Sequence, residues 1–304
     1  MRYFHGEGKR RSYFEGWYFK HQNEEQTIAL IPAYHVEQNG RASASIQVIT
    51  DGQAWRAVFP ASDFHAERDR FCVRIGDNAF RSDGIDIRLR TARLRMEGSL
   101  LFGPLTAPRS STMGPFSHVP FLQCRHEVIS LCHQVQGRFT VNGTPYEFAP
   151  GIGYIEGDRG VSFPEAYLWT QCSFFGGPHG KDCCVMLSIA SVPFLGREFA
   201  GCICCVYDGE TEYRLATYRG VRILRWDACE AIISQGPYTL EATLLNAKPQ
   251  SLYAPNRGSM TRTIHESAAC RVAYRFLNGK ETILDVISDR AGFEFADKGV
   301  KSGR

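Results

Sequence analysis

The chain has 304 residues, 43% of them hydrophobic and 22% charged, and its 35 basic side chains nearly balance 32 acidic ones, leaving a formal charge of +3. That hydrophobic content can bury two ordinary cores and excludes a disordered chain, while the dispersed charge excludes a nucleic-acid binder that relies on a sustained basic face. The N-terminus reaches no apolar stretch of the secretory kind, and the most apolar run, residues 183–196, is short for a bilayer span and contains Pro193. A soluble, cytoplasmic protein is therefore expected, with no transmembrane segment and at most a transient contact with a membrane surface.

Short aromatic or β-branched runs stand at 17–19, 27–32, 45–50, 71–75, 85–89 and 127–135. Between them Asn39-Gly40, Asp51-Gly52, Asp83-Gly84 and Asn142-Gly143 supply the positive φ of tight hairpins. Ile85, Ile87 and Leu89 alternate with Asp86, Arg88 and Arg90, so the one basic cluster, which runs from Arg81 to Arg95, reads as the solvated face of a strand. Residues 104–120 form a long loop rich in Pro, Ser, Thr and Gly. His133 stands on a strand with Leu131 and Val135 and is expected to face either solvent or a polar barrel lumen. The second half repeats the pattern around Asp208-Gly209 and Asn278-Gly279. Helices should be few, with 227–233 the best short candidate. About eight or nine antiparallel strands per half predict a closed up-and-down barrel or a sandwich, and a barrel of that size can hold one small ligand.

The halves echo each other. Glu15, Trp17 and Phe19 recur as Glu165, Tyr167 and Trp169, and Met96-Glu97-Gly98-Ser99-Leu100 recurs as Leu240-Glu241-Ala242-Thr243-Leu244. His126-Glu127, Asn142-Gly143 and Gly153-Tyr154-Ile155-Glu156 answer to His265-Glu266, Asn278-Gly279 and Gly292-Phe293-Glu294. Landmarks in one order predict a tandem duplication with domains at 1–158 and 159–304, each of ordinary size. Residues present in both copies then lean towards the shared fold, and singletons towards function.

The 11 cysteines sit mostly inside apolar runs, as in Gly201-Cys202-Ile203-Cys204-Cys205-Val206, and are expected as buried reduced thiols. They lack the paired two-residue spacers of structural zinc sites, so no metal is expected. Residues 151–171 pack three acids, an arginine and four aromatic rings into the junction of the halves. Either the acids and Arg159 clasp the two domains, or an acid kept protonated by apolar surroundings donates a proton inside a cavity. Glu156 has a counterpart in Glu294, which favours structure, whereas Asp158 and Arg159 have none. His118, within Met113-Gly114-Pro115-Phe116-Ser117-His118-Val119-Pro120-Phe121, is also a singleton, and an imidazole is a side chain suited to proton transfer. Neither a nucleophile elbow, nor a phosphate loop, nor a zincin helix is present.

At these residues the chain resembles the tocopherol cyclase family. Phe14-Glu15-Gly16-Trp17-Tyr18-Phe19-Lys20 resembles its N-terminal signature, and Gly153-Tyr154-Ile155-Glu156 through Gly160, then Ser162-Phe163-Pro164 and Trp169-Thr170-Gln171, resemble its central one. Where the family usually has Glu-Lys-Asn/Asp-Trp-Gly, this chain reads Glu156-Gly157-Asp158-Arg159-Gly160, losing the lysine and tryptophan. The resemblance implies an all-β chain of two tandem lipocalin-like barrels. It also implies a ring closure in which the alkene of a prenylated hydroquinone is protonated and a phenolic oxygen captures the cation, giving a chromanol without cofactor or metal. The acid is expected at Asp158 or Glu156, with His118 as a further catalytic candidate. Trp17, Tyr154, Arg159, Phe163, Tyr167, Trp169 and Gln171 are expected around a lipophilic substrate. The alternative expectation is a non-catalytic carrier of a lipophilic molecule.

Overall fold

A computed structural model describes residues 3–119, 122–194 and 196–297. Sheet A contains β1 (Tyr13–Gln22), β2 (Thr27–Val36), β3 (Ala42–Thr50), β4 (Ala54–Pro60), β5 (Phe64–Ala66), β6 (Cys72–Ile75), β7 (Asn78–Arg81), β8 (Gly84–Arg90), β9 (Arg95–Phe102), β10 (Cys124–Val141) and β11 (Thr144–Gly160). Sheet B contains β12 (Tyr167–Phe174), β13 (Cys183–Phe194), β14 (Arg197–Tyr207), β15 (Glu212–Ala216), β16 (Arg222–Trp226), β17 (Glu230–Gln235), β18 (Tyr238–Asn246), β19 (Gln250–Asn256), β20 (Ser259–Asn278) and β21 (Glu281–Ala296). Leu195, at the end of the apolar run noted in the sequence, lies outside the described residues.

The order in sheet A is β4-β3-β2-β1-β11-β10-β9-β8-β7-β6-β5, and in sheet B it is β15-β14-β13-β12-β21-β20-β18-β17-β16, with β19 added on β20. The two orders share one scheme: β12 takes the place of β1, and β20 and β21 take the places of β10 and β11. Both sheets curl into lipocalin-like barrels in tandem. Asn142 (φ 49°) and Gly143 (φ 87°) close the β10–β11 hairpin in the left-handed geometry that an Asn-Gly turn favours. Along β8, Ile85, Ile87 and Leu89 are buried while Asp86, Arg88 and Arg90 are exposed, so the basic cluster is indeed a solvated strand face. Residues 227–233 are not helical. Asp227 accepts hydrogen bonds from the Cys229 and Glu230 amides in a turn, and Ala231 and Ile233 then alternate into barrel B as part of β17.

Three cores form, one inside each barrel and one between them. Trp17 and Phe19 turn into barrel A, whereas Tyr18 on the same strand turns outward. Leu168 and Cys172 likewise fill barrel B, while Tyr167 and Trp169 project towards barrel A. Strands β1 and β12 are therefore buried on both faces, which explains their nearly unbroken burial. His133 faces neither solvent nor a polar lumen. Its ring lies 4.6 Å from Phe102 and 6.2 Å from His21, among the apolar side chains of barrel A.

Each half also sends an arm across to the other. The segment 103–119 of the first half, with a short 3₁₀ turn at Gly114–His118, is fastened to sheet B. There Arg214 donates to the Ser110 and Ser111 carbonyls, Tyr218 to that of Thr112, and Glu212 accepts from the Arg109 amide. In return the β19–β20 hairpin lies on sheet A, where Gln47 exchanges two hydrogen bonds with the Tyr253 backbone and Arg56 stacks 4.8 Å from the Tyr253 ring. Among the described residues no helix is long and apolar enough to cross a membrane.

Candidate active site between the two barrels

Pairing within the sheets places the acids. Residues directly opposite on neighbouring antiparallel strands share a face. On β1 and β11, Gly16 stands opposite Asp158 and Tyr18 opposite Glu156. On β10, His126 is opposite Asp158 and Val128 opposite Glu156. In sheet B, Glu294 stands opposite both Trp169 and Glu266. All of these side chains project from the outer face of their barrel into the gap between the two.

A cavity of about 200 Å³ lies there. Phe14, Ile31, Phe163, Tyr167, Trp169, Phe199, Leu252, Met260 and Ile264 line it, together with Met113 and Phe116 from the first arm, and its polar wall is Tyr18, His126, Glu156, Asp158, Glu266 and Glu294. Gly16 lies on this wall, and a Cβ there would stand 3.0 Å from the Ala33 Cβ.

Every glutamate of the wall is tied to an aromatic side chain. Glu156 Oε2 accepts from the Tyr154 hydroxyl at 2.5 Å and the Trp169 indole at 3.1 Å. Glu266 Oε1 accepts from Tyr18 at 2.6 Å, and Glu294 accepts from Tyr167. His126 lies between two acids, with Nδ1 3.1 Å from Asp158 Oδ1 and Nε2 3.3 Å from Glu156 Oε2. The second approach is an ion pair without hydrogen-bond alignment, since Nε2 has no hydrogen-bond partner.

Burial dominates the proton affinities. It pushes Glu156 up to about 7, with neighbouring Asp158 adding to the rise and His126, Tyr154 and Trp169 opposing it. Glu266 is pushed up to about 7 by burial, against the Tyr18 hydrogen bond and with repulsion from Glu156. Glu294 is driven well above the usual carboxylate range by burial and by Glu266. For His126 burial alone would lower the affinity, but Glu156 and Asp158 outweigh it and raise the imidazole to about 9. Near neutral pH the cluster thus combines an imidazolium and a protonated Glu294 with two carboxyls, Glu156 and Glu266, that exchange their protons in this range.

One donor atom from each of His126, Glu156 and Asp158 lies within 4.8 Å of the others, a spacing that can suit a metal ion. Here the two acids face opposite nitrogens of one ring, and an ion can take only one of those nitrogens, so the arrangement suits proton sharing better than coordination.

Of the residues expected at the site, Glu156, Asp158, Phe163, Tyr167 and Trp169 line the cavity, whereas Trp17 borders it along β1 while its ring packs inside barrel A. Tyr154 stands behind Glu156 as its hydrogen-bond donor. Gln171 is buried away from the cavity wall, bonded to Lys20 and Ser173. Arg159 lies outside the wall as well, because it alternates with Asp158 along β11, and the partner of both acids is His126. His118 ends the 3₁₀ turn, exposed and outside the cavity lining, while Pro120 and Phe121 of its motif lie outside the described residues. His126, Glu266 and Tyr18 were missed as candidates, although His126 and Glu266 were visible as the repeated His-Glu landmark.

Fold and site together define a protein of two lipocalin-like barrels that enclose an acid-walled apolar cavity at their junction. Residues 90–296, more than half of the chain, match the family described as tocopherol cyclase-like, and the chain belongs to that family. It is 28% identical over 80 residues to a protein of Oryza sativa subsp. japonica named "Probable tocopherol cyclase, chloroplastic", a match spanning 26% of this chain and only 17% of that protein's length. Among solved structures it is similar to CghA, with a TM-score of 0.58 at 11% identity over 95% of this chain and 89% of that one. It is also similar to kievitone hydratase from Nectria haematococca, with a TM-score of 0.51 at 10% identity over 98% of this chain and 94% of that one. At such identities the likeness concerns the fold.

Proposed function

We propose that this chain is an acid-catalysed cyclase that closes a ring in a prenylated hydroquinone or related isoprenoid, forming a chromanol-type isomer without a redox cofactor. The observation that carries this reading is Glu156, a carboxyl that holds its proton near neutrality while facing an apolar, ring-lined cavity. Protonating an alkene needs a neutral acid in a place where water does not compete for the cation. The faces of Trp169, Tyr167 and Phe163 can stabilise a tertiary cation, an interaction worth about 0.5–2 kcal/mol per ring. Membership in the tocopherol cyclase-like family supports the reading, and the likeness to a protein named as a hydratase is compatible with it.

In this mechanism Glu156 delivers the proton, and Tyr154 and Trp169 steady the carboxylate left behind. His126, with Asp158 on its far side, offsets the new charge and connects Glu156 to the more exposed Asp158, whose side chain is 22% accessible. Glu156→Gln and Asp158→Asn, made separately, test it against turnover of a prenylhydroquinone. Loss of about 100-fold or more in Glu156→Gln is expected; unchanged turnover in Glu156→Gln would refute the assignment of the proton donor, and unchanged turnover in both variants would refute a role for the whole cluster. Recovery of an unaltered lipid as the only species handled would favour a carrier.

A further inference from the structure

Each barrel brings its own carboxyl to the cavity, Glu156 from barrel A and Glu266 from barrel B, and Tyr18 of barrel A reaches across to Glu266. Tyr18 stands opposite Glu156 in the β1–β11 pairing and donates its hydroxyl to Glu266 Oε1 at 2.6 Å. The surroundings of the two acids differ. Glu156 is flanked by His126 and, beyond it, Asp158. Glu266 stands opposite Glu294 on the neighbouring strand, and two carboxyls so placed repel each other if both ionise. Glu294 is the one that burial and Glu266 drive furthest towards the protonated form. Glu266 is left to take the negative charge, favoured by the Tyr18 hydrogen bond and by the buried ammonium of Lys20.

Resting on the reading of this cavity as a site of proton-driven ring closure, we propose that Glu156 and Glu266 form an acid–base pair divided between the barrels. Glu156 gives the proton that starts the reaction, and Glu266 receives the proton that ends it. The carboxyl O–H bond of Glu156 breaks as a C–H bond forms at the alkene, leaving a tertiary cation. The substrate's hydroxyl oxygen donates an electron pair to that carbon, a C–O bond forms, and the hydroxyl proton passes to the Glu266 carboxylate. Substrate and product are isomers, so neither an oxidant nor a second reactant is needed. Glu156 ends one proton short and Glu266 one proton rich, and transfer between them resets the pair. This division narrows the substrate class to a lipophile that presents an electron-rich alkene to barrel A and a hydroxyl group to barrel B.

The test is an infrared pH titration of the full chain carrying isotope-labelled glutamate, in the wild type, Glu266→Gln and Tyr18→Phe, with turnover of a prenylated hydroquinone measured alongside. The titratable groups facing Glu266 are Tyr18, Lys20, Glu156 and Glu294, and those facing Glu156 are His126, Asp158, Tyr154, Tyr18 and Glu266. In the wild type two carboxyls should lose their protons near neutral pH. Glu266→Gln should move the Glu156 midpoint down, because a like charge is gone, and lower turnover at least about 100-fold. Tyr18→Phe should move the Glu266 midpoint up, because its carboxylate loses a donor. The pair is overturned if Glu266→Gln leaves the Glu156 midpoint in place, or if it turns over substrate at the wild-type rate. A wild type that turns over no prenylated hydroquinone overturns the ring-closure reading instead, and the midpoints then decide the coupling independently.

Discussion

Glu156→Gln should make the protein more stable above neutral pH and inactive at the same time. The folded state holds the Glu156 proton up to about pH 7, whereas the unfolded chain releases it at the ordinary value of 4.5. The fold is therefore penalised progressively as pH rises from 4.5 to 7, and fully above it. At about 1.4 kcal/mol per pKa unit the full penalty is about 3 kcal/mol. Glutamine ionises at no pH and retains an oxygen for Tyr154 and Trp169. The shift to about 7 already includes the attraction of the His126 imidazolium 3.3 Å away, so the gain expected for the variant above neutral pH is the same figure of about 3 kcal/mol, or several degrees in Tm. Urea unfolding of both proteins at about pH 5 and about pH 8.5 reads this directly, because m should not change. The variant should gain only at the higher pH. An equal difference at both pH values, or a variant less stable in base, would mean that Glu156 ionises in the fold without penalty, and its role as a proton-holding acid would be lost.

Three other outcomes follow from particular contacts. Gly153→Ala should destabilise barrel A by about 1–3 kcal/mol in urea melts, since the new Cβ would stand 2.3 Å from His133 Nε2, on a ring held by Ser130 and packed on Phe102. Gly258→Val should loosen the β19–β20 hairpin and expose it to limited proteolysis: Gly258 has φ +80°, and a Cβ would meet the Val36 carbonyl and Tyr13 amide at 2.1 and 2.6 Å. Burial lowers His21, His35 and His133, the last two to about 3, so the folded state resists their protonation. The stability these groups contribute is present above the ordinary histidine value of 6.5 and is lost as pH falls below it. His21→Phe, which removes two unpartnered ring nitrogens, should flatten that acid limb in denaturation curves.

The sequence disclosed the all-β class, the Asn-Gly hairpins and the acid-and-ring cluster at 151–171, because each is written in local patterns of period two and turn chemistry. What it could not disclose is register. A slip of one residue moves a side chain to the other face of a sheet. Pairing Trp17 with Tyr167 matched an inward residue to an outward one, whereas β1 and β12 align through Tyr18 and Trp169, each standing opposite the glutamate of its partner strand. The same slip set His126 beside His265, which is exposed, and so hid the imidazole that lies between Glu156 and Asp158. Glu15 and Glu165 fail as a pair too: the first is buried and bonded to His5 and Tyr13, the second is exposed. Treating repeated residues as structural therefore concealed Glu266 and Glu294, whose meeting with Glu156 depends on contacts between strands far apart in the chain.

The most direct measurement is turnover of a prenylated hydroquinone in deuterium oxide, followed by mass and nuclear magnetic resonance analysis of the product. Protonation of an alkene by a solvent-exchanged Glu156 predicts one carbon-bound deuterium per molecule, in a cyclic product, from the wild type and none from Glu156→Gln. A ligand returned uncyclised, or a cyclic product without carbon-bound deuterium, would contradict the account.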